Sequence, residues 1–159
     1  MNSYTLTEKQ VVEIVKAGLN SNAEVRLAAI DYNWGPPISG RFDSDFTQVW
    51  AVVKSAVHPA NVMLYGLFGN TWMDAPGPFE KRQVIGEWEL YYFAGGTPPA
   101  QFVIRLETED GQTYYDNNGG FGNNYRIVPY GRGTSNLVVG DVIYGFIGFV
   151  NYRLTGARK

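Results

Sequence analysis

The chain predicts an all-β fold: an antiparallel, immunoglobulin-like β-sandwich of seven to nine strands with one short helix at the N-terminus. Three observations predict it. β-rich runs recur at roughly 8–12-residue intervals. Turn-forming clusters such as Gly35-Pro36-Pro37, Gly95-Gly96-Thr97-Pro98-Pro99 and Asp110-Gly111 stand between them. Finally, 4 Trp, 11 Tyr and 9 Phe accompany 19 Gly, the mixture of rings and turns that sandwiches use, with a barrel as the lesser option. At 159 residues the chain is expected to form one domain, 1–159, large enough to bury a core without a metal or disulfide clamp.

Taken in order, Thr7 and Gln10 have the spacing of a capping box, and Val11, Ile14, Val15 and Leu19 repeat at helical intervals, predicting a helix over 7–19 with Gly18 at its end. Residues 24–32 alternate Val25, Leu27 and Ala29 and read as a strand with one buried face. A long loop follows. The runs 46–57 and 61–68 are separated by His58-Pro59, and because proline cannot donate to a ladder the pair reads as two paired strands around a corner or hairpin. Residues 70–77 read as a loop carrying Trp72, with Pro76 and Gly77 as turn residues.

Strands are predicted over 83–93 and 100–109. Asp110-Gly111, the strongest hairpin signal, leads into 112–116. A glycine- and asparagine-rich loop then precedes a strand at 125–128. The final run, 138–154, places Val142, Tyr144 and Phe146 on one alternating face and is expected to be structural.

Composition removes several functions. With 13 basic and 15 acidic side chains the net charge is −2, without the broad positive field that phosphate binding needs, so nucleic acid is not an expected partner. No apolar stretch is long enough for a membrane span. The absence of cysteine excludes thiolate chemistry and cysteine-ligated zinc. The opening MNSYTLTEKQ has neither a basic nor an apolar leader region, which favours a cytoplasmic start.

Catalysis finds little purchase. Glu87-Trp88-Glu89 and Glu107-Thr108-Glu109 each put two carboxylates two residues apart, about 7 Å on one strand face, a separation that glycosidases also use. The more economical reading is a charged, water-facing strand, neutralised by Lys81-Arg82 and Arg105. The single histidine, His58, sits at a predicted corner with no nucleophile elbow near it. Asp43-Ser44-Asp45 lacks the further oxygens of a calcium loop, and Gly119-Gly120-Phe121-Gly122 has no lysine and opens no helix, so no metal, cofactor or phosphate site is expected.

The unusual stretch is 114–125, which offers rings and amides together: Tyr114, Tyr115, Asn117, Asn118, Phe121, Asn123, Asn124 and Tyr125. A sugar presents an apolar C–H face that stacks on a ring and an edge of hydroxyls that both donate and accept, which asparagine amides match. Loops that need positive φ angles also collect Asn and Gly.

The segment Tyr115-Asp116-Asn117-Asn118, followed by Asn124-Tyr125, resembles the signature of carbohydrate-binding module family twenty-one, the starch- and glycogen-binding modules of fungal glucoamylases and glycogen-targeting phosphatase subunits. Val53-Lys54 through Val62, Leu64 and Gly69 to Trp72 are similar to an upstream strand and tryptophan loop of that family, so the resemblance spans 47–128. The gap before Asn124-Tyr125 is longer here, Asn70-Thr71 replaces the usual Asp-Gly, His58-Pro59 replaces a Phe and a charged residue, and Val103 stands where some members carry an aromatic ring. The helix and residues 131–159 have no counterpart in the resemblance.

The resemblance implies non-catalytic binding of an α-glucan such as starch, glycogen or maltooligosaccharides, with Trp72 and Tyr115 as stacking platforms and Asn117, Asn118 and Asn124 as hydroxyl readers. Tyr125 is expected to point into the core. Two rings alone imply affinities of roughly 10 μM to 1 mM, so retention would call for several sites, a homo-oligomer or a partner protein. The alternative is a lectin-like or toxin-like interaction module that binds other glycans, proteins or membrane surfaces.

Overall fold

In the computed structural model, residues 7–16, 22–33, 45–118, 124–127, 136–139 and 142–145 are described. They form a two-layer antiparallel β-sandwich with one helix outside the smaller layer, as the sequence predicts. Helix α1 is Glu8–Lys16, and its start is the expected reciprocal cap: the Thr7 backbone N–H donates to Gln10 Oε1 at 2.9 Å and the Gln10 N–H donates to Thr7 Oγ1 at 3.3 Å. Gly18 and Leu19 lie outside the described residues.

The strands are β1 (Val25–Asn33), β2 (Phe46–Lys54), β3 (Pro59–Phe68), β4 (Thr71–Asp74), β5 (Glu80–Ile85), β6 (Trp88–Gly95), β7 (Gln101–Thr108), β8 (Thr113–Asp116), β9 (Tyr125–Ile127), β10 (Asn136–Val139) and β11 (Val142–Gly145). One sheet has the order β1-β2-β6-β5; the other runs β11-β10-β9-β7-β3-β4, with β8 also pairing β7. Among the described residues there are eleven strands: turns split two of the predicted runs, 83–93 and 138–154, and residues 70–77, read as a loop, supply β4.

Gly69 (φ 63°) folds 70–77 back as β4 onto β3, so Trp72 lies on a strand and not in a loop. Gly86 (φ 61°) splits 83–93 into the β5–β6 hairpin. The C-terminal run is likewise a hairpin, Leu137 opposite Tyr144 and Val139 opposite Val142; Phe146 and the remainder lie outside the described residues. The Asp110-Gly111 hairpin forms as predicted, with Gly111 at φ 87°.

The runs on either side of His58 do not pair with each other. β2 pairs with β1 and β6, whereas β3 pairs with β7 and β4 in the other sheet. A single 3-10 turn, Ser55–Val57, ended by His58 in the left-handed region (φ 55°), carries the chain between layers.

Leu27, Ile30, Val49, Val62, Leu64, Phe93, Phe102, Ile104, Leu106 and Tyr125 belong to the buried core. β1 is buried on both faces, not one, because a bulge between Leu27 and Ala29 shifts its parity and α1 packs outside the small sheet. Val11 and Val15 are buried in that contact, and Glu8 Oε1 accepts from Trp50 Nε1 at 3.5 Å and pairs with Arg82 at 3.4 Å.

Candidate functional site

The alternation of β3 and β7 sorts side chains cleanly. Val62 and Leu64 on β3 and Phe102, Ile104 and Leu106 on β7 face the core, so Asn61, Met63, Tyr65 and Leu67 and Gln101, Val103, Arg105 and Glu107 share the outer face of the large sheet. Register fixes the neighbours. Trp72 stands opposite Leu67, which stands opposite Gln101, which stands opposite Arg126. One row on, Asp74, Tyr65 and Val103 lie side by side, and continuing the β9 register places Asn124 next to them. The following row is Met63, Arg105 and Tyr115.

The face is built of rings, amides and a fixed ion network. Tyr65 stacks on Trp72 with centroids 5.4 Å apart and planes 28° apart, an arrangement worth about 0.5–1.5 kcal/mol beyond burial. Tyr115, 53% exposed, presents its ring at the other end. Three strand spacings of about 4.8 Å and four residues of about 3.3 Å rise put the two aromatic ends roughly 20 Å apart. Between them Asn124 Nδ2 donates to Gln101 Oε1 at 3.2 Å.

Arg105 reaches diagonally across β3 to the edge strand, where its fork donates to both carboxylate oxygens of Asp74 at 2.9 and 3.0 Å. Glu107 adds a looser pair to Nε at 3.6 Å. The hydrogen bonds that Arg105 donates to Asp74 raise its pKa, and the charges of Asp74 and Glu107 add to this against the opposing effect of burial.

Trp72, Tyr115 and Asn124 are therefore brought onto one face. Asn117 is half-buried at the exit of β8. Asn118 is turned inward: it is buried, holds φ 61°, donates its backbone N–H to Asp116 Oδ1 at 3.2 Å and directs Nδ2 to the Asn124 carbonyl at 3.5 Å. Its amide nitrogen is directed to the protein's own backbone. Tyr125 is fully buried, as expected, and stacks on Phe102 at 5.2 Å. Residues 119–123 lie outside the described residues.

Sequence reasoning missed Tyr65, Gln101, Arg105 and Asp74. The parity of 61–67 and 101–107 marks Tyr65, Gln101 and Arg105 as one-sided. Their proximity to Trp72 depends on the β3–β4 and β3–β7 registers.

The carboxylate pairs weighed for hydrolysis come apart. Glu87 is in the β5–β6 turn, while Glu89 is buried, accepting from the Tyr91 hydroxyl at 3.0 Å and pairing with Lys81 at 3.4 Å. Burial, reinforced by that hydrogen bond, pushes the Tyr91 phenol far above its ordinary value. Glu107 lies on the outer face and Glu109 in the β7–β8 turn. Asp45 accepts from Thr97 Oγ1 at 3.2 Å, and Asp43 and Ser44 lie outside the described residues. Among the described residues no group of three or more His, Asp or Glu side chains converges on a metal position, and no helix is long and apolar enough to cross a membrane.

Fold and face together define an antiparallel β-sandwich that carries an aromatic and amide-bearing sheet face. No protein-family model matches the chain, and no curated protein matches it in sequence.

Proposed function

We propose that this chain is a non-catalytic glycan-binding module whose ligand lies across the outer face of the large sheet. The observation that carries the reading is the shared face: the stacked Trp72–Tyr65 pair, the exposed Tyr115 ring and the Asn124–Gln101 amide pair, spread over roughly 20 Å. Rings supply stacking area for C–H faces, and the amides and carboxylates between them supply hydroxyl partners. The span suits a chain of several sugar rings better than a monosaccharide. The resemblance of 115–118 and 124–125 to starch- and glycogen-binding modules favours an α-glucan among such chains.

A protein- or membrane-binding module would be favoured by an apolar patch on the opposite sheet. On the described part of that sheet α1 packs against β1 and β5, and Val84 is its one exposed large apolar side chain, which makes no continuous patch. Affinity electrophoresis in gels containing soluble starch, glycogen or a β-glucan tests the reading. Retardation by the α-glucans supports it, and unchanged mobility in every gel removes it.

A further inference from the structure

At the end of the sandwich opposite the Trp72 row, the 3-10 turn Ser55–Val57 and the β7–β8 hairpin border a cleft of about 470 Å³, a volume in the range of small-ligand sites. Ala56 and Val57 and the half-buried ring of Tyr114 form its apolar wall. Tyr114 stands opposite Leu106, a core residue, so its ring lies on the inner side of the sheet, away from Tyr115 and the outer face. His58 also lines the cleft, and its carbonyl accepts the Glu109 N–H at 2.9 Å.

The rim is acidic. Glu109 and Asp110 both line the cleft, and no lysine or arginine does. Thr108 Oγ1 donates to Asp110 and orients its carboxylate, while the Glu109 carboxylate has no partner among the described residues. Cations in the neighbouring stretches are committed elsewhere: Lys54 donates to the Asn22 carbonyl at 3.2 Å and lies over the Trp88 ring, and Arg26 pairs with Asp116 at 3.3 Å. Glu87, whose carbonyl accepts the Ser55 N–H at 3.0 Å, places a further acidic residue at this end.

We infer that this cleft is a binding site, separate from the glycan face, for an alkyl cation: a guanidinium or primary ammonium group on a short apolar stem. Glu109 and Asp110 accept charge-assisted hydrogen bonds from the cation, the Tyr114 ring offers it a π face, and the stem lies on Ala56 and Val57. A neutral ligand of the same shape draws less from the two charges, and an anion is repelled by them. The same group can arrive on a free amine or on an arginine or lysine side chain of a partner protein. The inference stands on the cleft alone and goes beyond the glycan-binding reading.

The test is an NMR titration of the full chain at about pH 7.5, where an imidazole is mostly neutral, with butylguanidinium, its neutral analogue butylurea and a capped Gly-Arg-Gly peptide. Butylguanidinium is expected to shift the backbone amide signals of 56–58 and 108–114, to bind at least about fivefold more tightly than butylurea, and to weaken as salt rises. Glu109→Gln, a change at an exposed side chain, should remove most of that preference. Peptide binding tighter than that of butylguanidinium assigns the cation to a protein side chain, and peptide binding that is weaker assigns it to a free amine. Maltooligosaccharide added beforehand should leave the butylguanidinium shifts in place; their loss would overturn the separation of the two sites. Equal affinity for butylguanidinium and butylurea overturns cation recognition, and no shift at tens of millimolar overturns the site. A preference that Glu109→Gln and Asp110→Asn each leave unchanged overturns the assignment to these carboxylates.

Discussion

Inside the sandwich the Tyr125 hydroxyl donates to Asp116 Oδ2 at 2.7 Å, tying the two ends of the asparagine-rich loop together. The same carboxylate accepts the backbone N–H of Leu27 at 2.6 Å, across the core in the other sheet, the Asn118 N–H at 3.2 Å and Arg26 Nη1 at 3.3 Å. A buried acid that satisfies four donors from three segments is an architectural joint. Burial opposes the charge on Arg26, yet Tyr125 and Asp116 outweigh it and raise its pKa. The aspartate and tyrosine of the motif thus hold the loop, while the ring before them and the amide of Asn124 face outward.

Asp116→Ala is expected to cost about 3–5 kcal/mol, since it leaves Arg26 and three further donors without their shared acceptor. Tyr125→Phe, which removes one hydrogen bond to a charged group and keeps the packing, is expected to cost about 1.5–3 kcal/mol. Denaturant unfolding of both variants checks the order. A Tyr125→Phe variant as unstable as Asp116→Ala would contradict this partition.

Asn118 and Asn124 should part company. Asn118→Ala forces a β-carbon residue to keep φ 61° and is expected to lose about 1–2 kcal/mol of stability, most of which Asn118→Gly restores. Asn124→Ala is expected to leave the melting temperature near its original value and to weaken glycan binding by about 1 kcal/mol, the usual worth of one polar contact. Melting temperature and affinity measured on the same three variants separate a structural amide from a ligand-facing one.

Asp110 accepts a hydrogen bond from Thr108 Oγ1, and that bond, with backbone donors, lowers its pKa below the ordinary 3.8. A depressed carboxylate contributes stability that is fully present above 3.8 and lost as pH falls through its lower folded-state value. Asp110→Asn should accordingly be less stable than the unaltered chain at neutral pH and lose that deficit at strongly acid pH. Stability curves taken from pH 7 downward check the convergence, and a deficit that persists into strong acid would locate the effect in packing.

What the sequence makes legible is local. The Thr7–Gln10 cap, the Asp110-Gly111 hairpin and the inward Tyr125 are each set by a few adjacent residues and appear as read. The break at Gly86 was obscured by continuous β-rich composition, since a glycine inside such a run marks either a bulge or a turn, and β4 was hidden because Pro76 and Gly77 marked 70–77 as a loop. The separation of β2 from β3 into different sheets was hidden because one 3-10 turn and the left-handed His58 suffice to cross the core. The site was half visible: Trp72, Tyr115 and Asn124 stand out by residue type, whereas Tyr65, Gln101, Arg105 and Asp74 join them only through pairings of strands distant in sequence.

The most direct measurement is calorimetric titration of maltooligosaccharides into the unaltered chain, Trp72→Ala and Tyr115→Ala, with a thermal melt of each. The account predicts binding in the range of roughly 10 μM to 1 mM for the unaltered chain. It predicts a loss of about tenfold or more in each variant, equivalent to about 1.4 kcal/mol. Melting temperatures should fall little for Tyr115→Ala and more for Trp72→Ala, which also loses its stack on Tyr65. Full affinity retained in both variants would show that the ligand does not lie across this face and would contradict the account.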